Sequence, residues 1–123
     1  MADYSFDKSR RLLNAADYKP VFDKAVFKVS SQQLLFLSIP NQLSHPRIGL
    51  VVAKKNIRFA SQRNRVKRII RESFRLHQAE IPNLDIVVLA KRNLDTLDNK
   101  ALHHSVAKLW KQLQRKANRQ TTP

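Results

Sequence analysis

From Arg47 to Arg75 the chain reads RIGLVVAKKNIRFASQRNRVKRIIRESFR. It opens on a continuously apolar run, Arg47 to Ala53, of the kind that forms a strand buried on both faces. The segment from Ser61 to about Gln78 is then periodic at helical spacing. Steps of about 100° place Val66, Ile69, Ile70, Ser73 and Phe74 on one arc, and Asn64, Lys67, Arg68, Arg71 and Arg75 on the opposite one. A buried strand feeding an amphipathic helix implies a sheet for that helix to cover. The helix must also carry an unusual load: Lys54 to Arg75 holds nine Lys or Arg residues and one acid, Glu72.

Working outward, Asn14 can cap a short helix on which Tyr18 and Phe22, four apart, share a face. Pro20 should shorten or kink it. VFKV (Val26 to Val29) and QLLFLS (Gln33 to Ser38) read as a hairpin. LDIVVLA (Leu84 to Ala90) is a second strand of the buried type, and Leu102, Val106, Leu109, Trp110 and Leu113 mark a last helix from about Asp98 to Ala117. The order αβββαβα predicts a single α+β domain over residues 1–123, a sandwich of a four-stranded sheet against helices, with the third and fourth strands parallel. An ordered core over about 10–115 and a flexible tail over 117–123 are expected. By default the crossover between the two parallel strands is right-handed.

Composition narrows the function. The 123 residues carry 24 Lys or Arg against 9 Asp or Glu, a formal charge of +15, on a chain 42% hydrophobic. Such a globule repels itself and fits a polyanion. There is no cysteine, which excludes disulfides and thiolate chemistry, and Gly49 is the only glycine, which excludes phosphate-cradling loops that need two. Neither a signal-type apolar segment nor a membrane-length run is visible, so a cytoplasmic protein is expected.

A charge run is usually a solvated helix face, but such faces mix signs, because like charges at i, i+4 oppose the helix. Arg68, Arg71 and Arg75 stack without an intervening acid other than Glu72 on the flank, and arginine's planar fork suits phosphate. Nucleic acid is the favoured partner. Tyr18, Phe22 and Phe36 could supply a stacking patch for single-stranded RNA beside that helix. The competing reading makes them core; it is the better one for Phe22 taken alone and evenly balanced for Tyr18. His103 and His104 diverge by about 100° on a helix and cannot share a metal. Neither His45 and His77 nor the carboxylates or serines form a catalytic pattern, so no catalytic or metal-binding residues are expected.

The quoted stretch resembles the signature of the bacterial ribonuclease P protein family, an RNR-containing helix following a strand that ends in a Lys-Lys pair. RLLNAADYKPVF, LDIVVLAK and ALHHSVAKLWKQL fall where that family has counterparts, so the likeness covers about residues 10 to 115. The resemblance implies a ribosomal protein S5 domain 2-like fold with an unusual left-handed βαβ crossover. It implies an accessory subunit of an endoribonuclease that removes the 5′ leader from precursor tRNA, with the catalytic groups and Mg2+ on an RNA subunit and no cofactor on the protein. It assigns Lys54, Lys55, Arg63, Asn64, Arg65, Lys67, Arg68 and Arg71 to the RNA subunit, and Tyr18, Phe22 and Phe36 to the single-stranded leader. Partners would be that RNA and precursor tRNA, with neither DNA nor membrane. Many relatives carry a glycine after the Lys-Lys pair where this chain has NIRFA, Asn56 to Ala60. The alternatives are another basic RNA-binding protein such as a ribosomal protein, or an architectural DNA-binding protein, which should show a further short helix before the basic one.

Overall fold

The computed structural model describes residues 8–121 of the chain. Helix α1 (Ala15–Lys24) is followed by strands β1 (Phe27–Ser30), β2 (Leu34–Pro40) and β3 (Arg47–Val51), helix α2 (Ala60–His77), strand β4 (Leu84–Ala90) and helix α3 (Asn99–Thr121). This is the expected order, with short 3-10 turns at Lys8–Arg10, Gln78–Glu80 and Leu94–Thr96 added. The sheet runs β1-β2-β4-β3, antiparallel except for β3 beside β4, which are parallel.

Sheet position separates the two apolar strands. Central β4 alternates sides, Ile86 and Val88 joining the larger core and Val87 and Leu89 the smaller one. Strand β3 is an edge and only partly buried, and it ends at Val51 rather than Ala53. Its apolar continuity reflects cover from both faces, with no further strand beyond it in the sheet. The larger core lies between the sheet and α2 with α3, where Trp110 packs on Phe36 at 4.6 Å and on Phe74 at 5.9 Å between ring centroids. The buried residues of α2 are Val66, Ile69, Ile70, Ser73 and Phe74, the predicted arc. Ser73 belongs there because its Oγ accepts the Trp110 indole N–H at 3.0 Å.

On the other face α1 lays Val21 and Tyr18 against Val87, Leu37, Ile39 and Leu89. The Asn14 side chain accepts from the Asp17 N–H, and α1 continues four residues past Pro20 to Lys24. Pro20 therefore does not shorten the helix, although it leaves the Ala16 carbonyl without its i+4 donor. Helix α3 extends past the expected Ala117 to Thr121, whereas residues 122 and 123, the end of the expected tail, lie outside the described residues.

The crossover from β3 through α2 to β4 is left-handed, against the default. Ile48 points into the core beneath α2. Seen from α2 with β3 running upward, an L-residue whose side chain faces the viewer turns its N–H and C=O to the right. The Ile48 carbonyl accepts the Leu12 N–H at 2.9 Å, on the margin away from β4. β4 therefore lies on the left, and a path that rises, comes forward and returns on the left has the rarer hand. Across the two strands, Arg47 grips Asp85 through two hydrogen bonds of 2.9 and 2.7 Å, and Asn41 donates to the same carboxylate at 3.0 Å. The hydrogen bond to Asp85 raises the Arg47 pKa above its ordinary value, opposed by desolvation.

Candidate nucleic-acid interface

The loop into α2 is built without glycine. Asn56 and Ile57 both donate their N–H groups to the Ala53 carbonyl, Ile57 is fully buried, and the Asn56 side chain donates to the Ala90 carbonyl at 2.9 Å. Asn93, in the turn after β4, is the one non-glycine residue with positive φ among those described, so NIRFA adopts ordinary backbone throughout. Lys54 and Lys55 stand exposed at the head of this loop.

The RNR triplet divides its labour. Arg63 turns back to donate to the Ile57 and Arg58 carbonyls at 3.1 and 2.8 Å, fixing the loop. Arg65 reaches Gln62 Oε1 and, across to the start of α3 and the segment before it, Asn99 Oδ1 and the Asp95 and Leu97 carbonyls, all within 2.8–3.0 Å. Both guanidiniums thus hold protein to protein. Arg65, which the resemblance assigns to the RNA subunit, is engaged within the fold, where it clips α2 to the start of α3. Asn64, between them, is exposed, as are Arg68 and Arg71, and Lys67 is half-buried. Among the described residues none of Lys67, Arg68 and Arg71 forms an ion pair. Ser61, Asn64, Arg65 and Arg68 line an open hollow of about 330 Å³ near the start of the helix.

The three aromatics do not form one patch. Phe36 is fully buried, on the α2 side of the sheet against Trp110, whereas Tyr18 packs on the α1 side. With no exposed surface, Phe36 cannot stack on a base, so its place in the leader site is withdrawn. Phe22, for which core is the better reading when it is taken alone, is instead 46% exposed. Leu13 and Val26 are exposed apolar residues flanking α1. The Tyr18 ring lies over Gly49, and its hydroxyl accepts the Leu50 N–H at 3.1 Å.

A cavity of about 110 Å³ at the β3 edge is lined by Arg11 and Tyr18 from the α1 side and by Lys67 and Arg71 from α2. It connects the aromatic side of the molecule with the basic helix. Sequence reading missed Arg11, which sits in no periodic pattern and reaches the site through its bridge to Ile48. It also missed Phe59, 61% exposed before α2 with the Arg58 guanidinium 5.6 Å from its ring centre. Its position between Arg58 and the basic helix, an aromatic set among cations, was the available signal. Among the described residues no three of His, Cys, Asp and Glu converge as metal ligands, and no helix is long and apolar enough to cross a membrane.

A protein-family model described as Ribonuclease P matches residues 6–114. The ribonuclease P protein component of Chromohalobacter salexigens is 47% identical over 121 residues, covering 98% of this chain and 94% of that one. Its counterpart from Pseudomonas aeruginosa is 46% identical over 123 residues, 100% and 91% of the respective chains. Among solved structures, the RNase P protein of Staphylococcus aureus superposes with a TM-score of 0.78 at 30% identity, covering 85% and 94%. That of Thermotoga maritima gives 0.73 at 28%, covering 83% and 96%.

Proposed function

The chain belongs to the bacterial ribonuclease P protein family, and from that premise we propose that it docks α2 on the ribonuclease P RNA and guides the single-stranded 5′ leader of precursor tRNA along α1. The observation that carries this reading is the outward arc of α2. Asn64, Lys67, Arg68 and Arg71 present donors and charge with no ion pair among the described residues to neutralise them. Phosphate is the anion such an arc suits, because arginine engages it with paired, charge-assisted hydrogen bonds. Lys54 and Lys55 extend the charge toward β3. Arg63 and Arg65 serve the interface by holding the loop and the α2–α3 junction in place, which keeps Asn64 and Arg68 in a fixed relation.

On the α1 side, Tyr18 and Phe22 offer ring faces, and stacking on them tolerates any base. The cavity of Arg11, Tyr18, Lys67 and Arg71 gives a backbone passing between the two surfaces a cationic margin to follow. In this reading the RNA subunit supplies the catalytic groups and binds the Mg2+ ions, and the protein orients the substrate. The cytoplasm is where precursor tRNA would be met.

Purified, RNA-free protein should leave precursor tRNA intact in magnesium, and adding the cognate RNA subunit should yield cleavage at the mature 5′ end. Cleavage by nuclease-treated protein alone would overturn the accessory role.

A further inference from the structure

Helix α3 carries a second cationic stripe unrelated to the RNR segment. From Asn99 to the end of the chain there is no Asp or Glu. Lys108, Lys111, Arg115 and Arg119 are all exposed, and at about 100° per residue they fall within one arc roughly 80° wide. That arc is opposite Leu102, Val106, Leu109, Leu113 and Ala117, which are buried in the core. Lys116, off the stripe, is pinned by its Nζ donating to the Lys28 carbonyl at 2.6 Å. It closes one side of a shallow depression of about 140 Å³ that it shares with Gln112, Arg115 and Arg119.

The bland explanation for basic residues late in a helix is the macrodipole, which favours them in the last turn. It covers Arg119 but not Lys108 or Lys111, about three and two turns earlier. Like charges stacked at i, i+3 and i+4 destabilise a helix. Among the described residues no carboxylate pairs with any of the four.

We propose that this face of α3 is a second docking surface for the ribonuclease P RNA, separate from the α2 arc. The inference rests on the proposed docking of α2. Its location selects the partner. Helices α2 and α3 lie in one layer on the same face of the sheet, in contact at Arg65 with Asn99 and at Ser73 with Trp110. They therefore run side by side in the same general direction. α1, with Tyr18 and Phe22, lies on the opposite face. An RNA seated on α2 can continue over α3 without passing round the sheet, whereas a leader held along α1 cannot reach it directly.

The test measures affinity of the full chain for the RNA subunit, and for precursor tRNA alone, across a salt series. Lys111→Ala/Arg115→Ala/Arg119→Ala is compared with Arg68→Ala/Arg71→Ala and with a charge-retaining Arg115→Lys/Arg119→Lys. Alanine keeps the helix, and the melting temperature checks the fold. The α3 variant should bind the RNA subunit roughly tenfold or more weakly, with the log–log salt slope flattened by about two units, while the lysine variant keeps the slope. It should also lose a patch of backbone protection on the RNA that the α2 variant retains. Weakening by the α2 variant alone overturns the α3 surface and leaves the α2 reading standing. Weakening by neither removes both. Loss of precursor tRNA binding with RNA-subunit affinity intact overturns the choice of partner.

Discussion

Tyr18 occupies the space that a side chain on Gly49 would need: a Cβ there would lie 2.6–2.7 Å from the tyrosine's Cζ, Cε2 and hydroxyl. The chain's single glycine is thus explained by an aromatic ring 31 positions earlier rather than by a turn, and that ring is one of two proposed to meet the leader. Gly49→Ala should displace Tyr18, weaken binding of leader-bearing precursor tRNA, and leave affinity for mature tRNA unchanged. Equal losses for both substrates would detach Tyr18 from leader recognition.

Removing only the hydroxyl separates its two roles. Tyr18→Phe keeps the ring but leaves the Leu50 N–H without its partner, at a cost of about 0.5–1.5 kcal/mol in stability. Leader affinity should survive, read by titrating the reconstituted ribonucleoprotein with substrates that do and do not carry the leader.

Phe22 and Phe36 should behave oppositely. Phe22→Ala removes a half-exposed ring and should reduce leader affinity by roughly 1–3 kcal/mol with little change in melting temperature. Phe36→Ala empties a core position beneath Trp110 and should cost about 3–5 kcal/mol of stability. A leader-specific defect in a well-folded Phe36→Ala protein would contradict its burial.

Within the basic helix, Arg65→Ala breaks the clip to the α3 start and should destabilise the fold by about 1–3 kcal/mol. Arg68→Ala should leave the melting temperature alone and flatten the salt dependence of RNA-subunit binding by about 0.7–0.9 unit. Comparing the two by thermal melts and salt titration tests the division of labour inside the arginine-rich segment.

Asp85→Ala would strand the Arg47 guanidinium between β3 and β4. Breaking such a largely buried pair from one side costs about 3–5 kcal/mol, and the loss should appear as a lower denaturant midpoint without a specific change in RNA affinity at temperatures where the protein is folded.

Patterns along one element were readable from the chain. The α2 arc emerged because both its faces obey one period, and β4 because seven residues in a row avoid charge except at Asp85. Residues whose roles depend on distant partners were not. Leu34 to Leu37 is apolar on both parities, so alternation could not say that Phe36 faces α3 while Leu37 faces α1. Arg65 looks like any surface cation until the Asp95 and Leu97 carbonyls, 30 and 32 residues on, come to meet it. The hand of the crossover followed from family resemblance alone, since hydrophobic period carries no handedness.

The β3 margin has a consequence for the protein before it meets RNA. An open strand edge is a template on which a second copy can add its own strand, the first step toward aggregation. Here the Leu50 N–H is taken by Tyr18 and the Ile48 carbonyl by Leu12, while at the far margin four-residue β1 has its Lys28 carbonyl taken by Lys116. Both sheet margins are thus partly closed to the strand of a second copy, and Tyr18, by holding the Leu50 N–H, shares in that closure.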